Sequence, residues 1–359
     1  MRVLVAMSGG VDSSVAAARM VSDGHEVIGV TLKLWAGPDG EMPTAGCCTV
    51  SDSEDARRVA AQLDIPYYVL DYTDDFEHGV IERFVSDYTT GRTPNPCVEC
   101  NRTVKFSRLL DQAVDFECDV VATGHYARVD TVEGRFRLRR GVDEHKDQSY
   151  VLSMLGQDQL GRVHFPVGGM AKSDVRSLAA SLGLRTAAKP ESMDVCFVGD
   201  RDYRGFLRSH APDSLEAGSI VTTDGETVGT HDGVAGFTVG QRRGLGVALG
   251  EPRFVVDVDA PSRTVTIGRR RDLLVRRLVL EQVTWVDRSL PSCARAEVQY
   301  RAHGAPVAAT WTGEAVLFDR PQEAVAPGQT VAFYHDDTVL GGGVVTSTSA
   351  AQVECSELA

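Results

Sequence analysis

The sequence predicts an α/β protein: a parallel-sheet domain, then a small central domain, then a C-terminal β-barrel. Three observations predict it. Short apolar runs alternate with helix-like stretches up to about residue 200, the pattern of strands joined by crossover helices. Nine glycines crowd residues 218–250, so turns are frequent there. From about residue 272 the chain shows short alternating strands separated by turn residues, the pattern of a small barrel or sandwich. The expected divisions are residues 1–203, 204–271 and 272–359.

Residues 2–7 form a short apolar run suited to a buried first strand. Residues 11–21 carry the small and apolar side chains of a helix packed on a sheet, and residues 26–34 are a second apolar run with β-branched side chains. Ser51-Asp52-Ser53-Glu54 offers a capping side chain and first-turn acids, which predicts a helix continuing through Ala56, Val59, Ala60 and Leu63. A strand is expected over 67–70, an amphipathic helix over 76–88 and a strand over 119–123 ending at Gly124. Further strands are expected at 294–300, 316–318 and 331–333. In open parallel sheets ligands bind beyond the carboxyl ends of the strands.

The chain has 359 residues, a net charge of −13 and no apolar run of membrane-spanning length. It runs straight into the first strand, so a cytoplasmic location without a membrane partner is expected. Eight irregularly spaced cysteines in so long a chain do not make a stapled scaffold; the thiols are expected to be free, catalytic or metal-bound. An acidic total gives no hint of nucleic acid. Local basic groups exist at Arg135, Arg137, Arg139, Arg140 and Lys146, at Arg242-Arg243, and at Arg269-Arg270-Arg271 with Arg276-Arg277. On composition alone they read as solvated surface charges.

Ser8-Gly9-Gly10-Val11-Asp12-Ser13-Ser14 lies between the first strand and the first helix. Paired glycines let the backbone turn tightly and aim N–H groups inward, making a nest for anionic oxygen. The helix N-terminus behind it adds partial positive charge. The bland reading is a glycine turn with a Ser/Asp helix cap. The GxxxxGK[ST] pattern is absent, so this is not the loop of ordinary phosphoryl-transferring nucleotidases. Residues 8–13 resemble the SGGxDS loop of the N-type ATP pyrophosphatases, whose fold is adenine nucleotide alpha hydrolase-like. That resemblance implies an enzyme that grips the pyrophosphate of ATP while a substrate oxygen attacks the α-phosphorus.

Two cysteine segments narrow the choice. In Gly91-Arg92-Thr93-Pro94-Asn95-Pro96-Cys97-Val98-Glu99-Cys100-Asn101 the prolines disfavour helix just before the thiols. The second is Lys189-Pro190-Glu191-Ser192-Met193-Asp194-Val195-Cys196-Phe197. A lone CxxC also suits half a zinc knuckle or a chance pair, and the second half of a four-ligand pattern is absent. The Cys47-Cys48 doublet could complete a site only if the fold brought it close.

Together these segments resemble the bacterial tRNA-specific 2-thiouridylases (MnmA). Other matches are Ala122-Thr123-Gly124-His125-Tyr126, Lys146-Asp147-Gln148-Ser149-Tyr150, Phe165-Pro166-Val167-Gly168, Gly240-Gln241-Arg242-Arg243-Gly244-Leu245-Gly246 and Pro327-Gly328-Gln329. They stand in the family order and span nearly the whole chain.

The resemblance implies ATP-dependent 2-thiolation of the wobble uridine of tRNA of the Lys, Glu and Gln type. ATP would lie on Ala6, Met7, Ser8, Gly9, Gly10, Val11, Asp12 and Ser13, with Leu32 and Gly124 beside the nucleoside. Mg²⁺ would balance the triphosphate charge. Cys196 would carry persulfide sulfur and Cys100 would be the second catalytic thiol. Asn95, Pro96 and Cys97 would line the target base, which must be unstacked to reach the site. His125, Lys146, Asp147, Gln148, Gln299, Tyr300, Arg301 and Gln329 would contact tRNA. By themselves His125 is as readily a core histidine and Lys146-Asp147-Gln148 a solvated turn. A monomer is expected, served by a persulfide donor such as a cysteine desulfurase or a sulfur relay protein. Many members carry aspartate where this chain has Cys97, so Cys97, Cys100 and Cys196 could instead hold an iron–sulfur cluster that delivers sulfide. The two-thiol persulfide route is favoured. An amide-forming ligase with the same first loop, or a non-catalytic RNA-binding protein, ranks below it.

Overall fold

The computed structural model describes residues 1–36, 49–190, 195–198, 202–212 and 215–350. Cys47 and Cys48, and the Met193-Asp194 part of the second cysteine segment, lie outside the described residues.

Strand β1 (Arg2–Ala6) has Val3, Leu4 and Val5 fully buried, as a run without polar alternation requires. Helix α1 (Val11–Ser22) covers it with Val15, Ala16 and Ala17. Next come β2 (Glu26–Lys33), α2 (Val50–Gln62) and β3 (Tyr67–Asp71). With β4 (Val120–Ala122) and β7 (Val163–His164) these strands make a five-stranded sheet in the order β3-β2-β1-β4-β7, every neighbouring pair parallel. The helix expected from Ser51 starts slightly earlier. Thr49 caps α2 by accepting from Asp52 N, and the Asp52 carboxylate accepts from Thr49 N at 3.0 Å, a reciprocal capping box.

The helix expected over 76–88 is a composite. Helix α3 (Thr73–Phe76) passes through a π-helical turn (Glu77–Ile81) into α4 (Glu82–Thr89). After a short loop come α5 (Pro96–Cys100), a second π-helical stretch (Asn101–Arg108) and α6 (Leu109–Asp115). Wide π turns of this kind often mark functional positions. Here the second opens directly after Cys100. Helices α7 (Gln157–Leu160) and α8 (Lys172–Ser181) complete this region, and α9 (Tyr203–His210) leads out of it.

The central region is a four-stranded sheet of β8 (Gly218–Thr222), β9 (Thr227–His231), β10 (Phe254–Asp259) and β11 (Thr264–Gly268), in the order β10-β11-β8-β9. The C-terminal strands are β12 (Leu274–Trp285), β13 (Ala294–Gln299), β14 (Val307–Trp311), β15 (Ala315–Glu323), β16 (Thr330–His335) and β17 (Thr338–Ser349). They follow the order β12-β15-β14-β13-β16-β17, and β12 also pairs with β17, which closes an antiparallel barrel. Trp311 and Phe333 fill its core.

One pairing escapes a reading by sequence segments. The hairpin β5 (Ala127–Val132) and β6 (Arg135–Arg140) leaves the parallel-sheet region and joins the barrel sheet, with Leu138 opposite Val339 of β17.

Candidate active site

The first loop is built by its glycines. Gly9 has φ +71°, and a Cβ there would stand 2.1 Å from the carbonyl oxygen of Asp52 in α2. Only glycine fits that position. Gly10 is extended (φ −89°, ψ 165°) at the N-cap of α1, where no described side chain takes the free N–H groups. Ser13 Oγ accepts from Ser8 N at 3.1 Å and donates to Gly10 O at 3.1 Å. Ser8 itself is exposed at the mouth of the loop. Gly124, just past β4, presses on the loop from the other side: a Cβ there would lie 2.7 Å from Ser13 N. The residues expected around a nucleotide are therefore together. Ala6 ends β1, Leu32 lies near the carboxyl end of β2, and Gly124 follows β4.

Two lysines complete this surface; the sequence gives no sign of Lys172 and marks Lys189 only as the head of the second cysteine segment. Lys172 Nζ, in the first turn of α8, donates to both carboxylate oxygens of Asp12 at 2.7 Å, while Tyr126 Oη donates to Asp12 Oδ1 at 2.7 Å. Lys189 Nζ donates to Gly9 O at 3.0 Å and to Asp52 and Asp55 at 2.7 Å each, tying the loop to α2. Burial pushes the Asp52 carboxyl up, but hydrogen bonds from Lys189 and Thr49 outweigh it and hold it below its ordinary value. Burial likewise disfavours the Lys189 ammonium, and its two carboxylate partners outweigh that and raise it. The donor set — loop N–H groups, hydroxyls and two flanking cations — suits a polyphosphate.

The thiols stand on the core that runs under the strand ends. Asn95 caps α5 by accepting from Val98 N at 3.3 Å, and Pro96 occupies its first turn, where a missing N–H costs nothing. Cys97 on that helix is exposed and Cys100 buried. Cys100 belongs to the cluster of Leu32, Leu34, Phe84 and Phe197, and Cys196 and Ala6 pack on the same cluster. Phe197 fixes the Cys196 segment by edge-on contacts with Phe84 at 5.1 Å and Phe76 at 5.6 Å. Cys293 departs from the expectation that all thiols are free, catalytic or metal-bound: it is disulfide-bonded.

The cysteine loop is braced from outside its own region. Thr93 N donates to Pro327 O at 2.7 Å, and Gln329 Nε2 donates to Thr93 O at 2.8 Å. Gly328, at φ +88°, lies so close that a Cβ would meet Thr93 N, C and O at 2.9 Å each. Arg92 links Asp87 of α4 at 3.3 Å to Glu281 of β12 at 2.5 Å. Glu99, between the two cysteines, is buried against Arg83 at 3.3 Å.

The remaining expected RNA contacts are scattered in role. Asp147 accepts from Gly141 N, Ser149 N and Arg140, with its side chain 6% exposed. Gln148 accepts from Tyr126 N at 2.9 Å. Gln299 is buried between Arg140 and the carbonyls of Arg301 and Ala302. His125 is buried between Phe106 and Phe165, and burial drives its imidazole down to about 3, with the nearby Lys105 charge adding to the effect. These side chains organise the walls from within. Arg301 is exposed, and Lys146 and Tyr300 are half-buried.

A glycine-built loop between a parallel strand and a helix N-terminus, with flanking hydroxyls and lysines, defines an α/β protein of the nucleotide-using class. Residues 1–200 match the tRNA methyl transferase HUP domain, residues 204–269 the tRNA methyl transferase PRC-barrel domain, and residues 275–345 the aminomethyltransferase beta-barrel domain. The chain is 46% identical over 353 residues to the tRNA-specific 2-thiouridylase MnmA of Heliobacterium modesticaldum, covering 96% of this chain and 92% of that one. It is 45% identical to that of Herpetosiphon aurantiacus (96% and 98% covered) and 48% identical to that of Geobacter metallireducens (95% and 96% covered). The chain belongs to the tRNA-specific 2-thiouridylase family.

Proposed function

We propose that this protein thiolates the wobble uridine of tRNA at C2 in an ATP-dependent reaction, as a tRNA-uridine 2-sulfurtransferase. The observation that supports the reading is that Cys100, Cys196, Ala6 and Leu32 share one hydrophobic cluster, in the core adjoining the strand ends that carry the loop. A uracil oxygen is a poor leaving group. In the first half-reaction the C2 oxygen bonds to the α-phosphorus of ATP and pyrophosphate leaves. Loop N–H groups, the α1 N-terminus, Lys172 and Lys189 balance the charge on the departing group. Mg²⁺ would add to that balance; Asp12 is the carboxylate at hand, the other ligands being phosphate oxygens and water.

In the second half-reaction the outer sulfur of a Cys196 persulfide bonds to C2 and AMP leaves. The Cys100 thiolate then attacks the Cys196 sulfur, the S–S bond to the substrate breaks, and sulfur stays on C2. A Cys100–Cys196 disulfide remains and a dithiol reductant restores it. Asn95, Pro96 and Cys97 line the base, and Gln329, Tyr300, Arg301, Lys146 and the supporting His125, Asp147, Gln148 and Gln299 shape the RNA surface. The enzyme works as a cytoplasmic monomer and draws on a persulfide donor protein.

The iron–sulfur alternative is less favoured. Cys97 is exposed while Cys100 is buried, and among the described residues no three His, Cys, Asp or Glu side chains lie close enough to share one ion. The test is nucleoside mass analysis of unmodified tRNA incubated with ATP, Mg²⁺ and a persulfide source. One AMP should appear per 2-thiouridine, and Asp12→Ala should abolish both. Thiolation without ATP overturns the reading.

A further inference from the structure

We infer that the turn carrying Arg242 and Arg243 is a second RNA-backbone site, binding phosphates beside the nucleotide that enters the thiol pocket. The inference rests on the tRNA reading above. The exposed arginines of this acidic chain divide: Arg263 faces Glu216, Arg270 Glu323 and Arg295 Asp319, while others have no carboxylate among the described residues within ion-pair distance. Arg242 and Arg243 are both exposed, and no carboxylate among the described residues lies within ion-pair distance of either. Two adjacent uncompensated cations on a surface with a net charge of −13 favour an anion supplied from outside.

The turn is built to hold them. Gly240 and Gly244 take positive φ, +90° and +73°. The Gln241 side chain accepts from Thr238 N at 3.2 Å and donates to Arg243 O at 2.9 Å, bridging the turn. Leu245 is buried in the central core and anchors its far end. A flexible solvated loop needs no such fixing. Hydrogen bonds across the turn reduce the ordering that a bound phosphate requires.

Its position connects it to the site. Gly240 N donates to Val255 O in β10, and a Cβ on Gly91 of the cysteine loop would meet Val258 O of the same strand at 2.6 Å. A Cβ at Gly240 would stand 2.7 Å from Ala324 Cβ, and Ala324 O accepts from Arg301 at 3.2 Å. The basic turn is thus continuous with Arg301. An open cavity of about 640 Å³ lies against it, lined by Tyr203, Arg204, Thr238 and Arg243. Tyr203 leads back to the thiols through Tyr88 (5.4 Å), Phe84 (4.9 Å) and Phe197 (5.1 Å). Such a cationic recess with an aromatic wall matches a sugar–phosphate backbone.

The test uses the full chain with Arg242→Ala/Arg243→Ala and the charge-preserving Arg242→Lys/Arg243→Lys. Binding of an unmodified tRNA transcript is titrated over a range of salt, and thiolation is followed by nucleoside mass analysis. The alanine pair should weaken binding on the order of tenfold and lower the slope of log K against log salt by about 1.5. It should raise KM for tRNA with little change in kcat, and the lysine pair should restore most of the affinity. Unchanged affinity and salt slope in the alanine pair, with wild-type thiolation intact, overturn this inference alone. A wild-type protein that binds no tRNA overturns the functional reading beneath it.

Discussion

Gly328→Ala probes whether the barrel holds the thiol loop in place. At φ +88° an alanine is strained by about 1–2 kcal/mol before any contact is counted. Its Cβ would meet Thr93 N, C and O at 2.9 Å, all backbone atoms that no rotamer change can move. Ordinary contact begins near 3.4 Å, so the two segments must part by about 0.5 Å. That weakens the 2.7 Å bond from Thr93 N to Pro327 O and the 2.8 Å bond from Gln329 to Thr93 O, each worth about 1 kcal/mol. The expected cost is roughly 2–4 kcal/mol, divided between stability and displacement of the loop. Thr93 lies two residues before Asn95, the cap of the cysteine helix. Misplacing a reacting group by about 1 Å can cost a hundredfold in rate, so a tenfold to hundredfold loss of single-turnover thiolation is expected. ATP affinity should hold, because among the described residues this turn is hydrogen-bonded to Thr93 and not to the cradle. A Gly328→Ala protein with wild-type thiolation rate and denaturation midpoint refutes the bracing argument.

Lys172→Ala should reduce pyrophosphate release at least tenfold, since it removes the cation held at 2.7 Å from both Asp12 oxygens; a steady rate of pyrophosphate formation would show the pair to be structural only. Lys189→Met should destabilise the protein by roughly 1–3 kcal/mol at neutral pH, read by urea denaturation. The Asp52 carboxyl is depressed in the fold, so its share is present above its unfolded pKa and is lost as pH falls through the lower folded value. Lys189 is raised, so its share is present below its unfolded pKa and lost only as pH climbs through the higher folded value. The wild-type advantage over Lys189→Met should therefore be flat from about pH 5 to 9 and shrink on acidification below about pH 4. Cys196→Ala should still form AMP-activated tRNA but no thiouridine, whereas Cys97→Ala should still form thiouridine and contain no less iron than wild type. Stoichiometric iron and sulfide lost with Cys97→Ala would favour the cluster route.

Much of the catalytic region was legible because its signals are local. Ser8 to Ser14 announces a phosphate cradle through residue types that only make sense at a strand-to-helix turn, and the apolar runs of β1 and β2 read as buried strands without help. The cap at Thr49 was missed by two residues because Ser51 is an equally good capping residue; packing of α2 on the Gly9 loop decides between them. The π-helical turns around residues 77–81 and 101–108 leave no trace in periodicity, since they answer to packing. The pairings of Lys172 and Lys189 were invisible because their partners lie 160 and 180 residues away in the chain. The β5–β6 hairpin did carry a signal: Phe136 and Leu138 alternate with Arg135, Arg137 and Arg139. The arginines form a charge cluster in the sequence, and three of them face carboxylates: Arg135 bonds Asp287, Arg139 bonds Asp337 and Asp130, and Arg140 bonds Asp147.

That hairpin has a consequence for how the molecule comes apart. A protease that cuts the connection before β8 would nick the chain without releasing a piece, because Leu138 and Arg139 of the hairpin remain paired with β17. Conversely, a fragment comprising only β12 to β17 would leave the first residues of β17 with bare N–H and C=O groups, ready to pair with a neighbour. Such a fragment should self-associate, and one that includes a covalently linked copy of the hairpin should stay soluble.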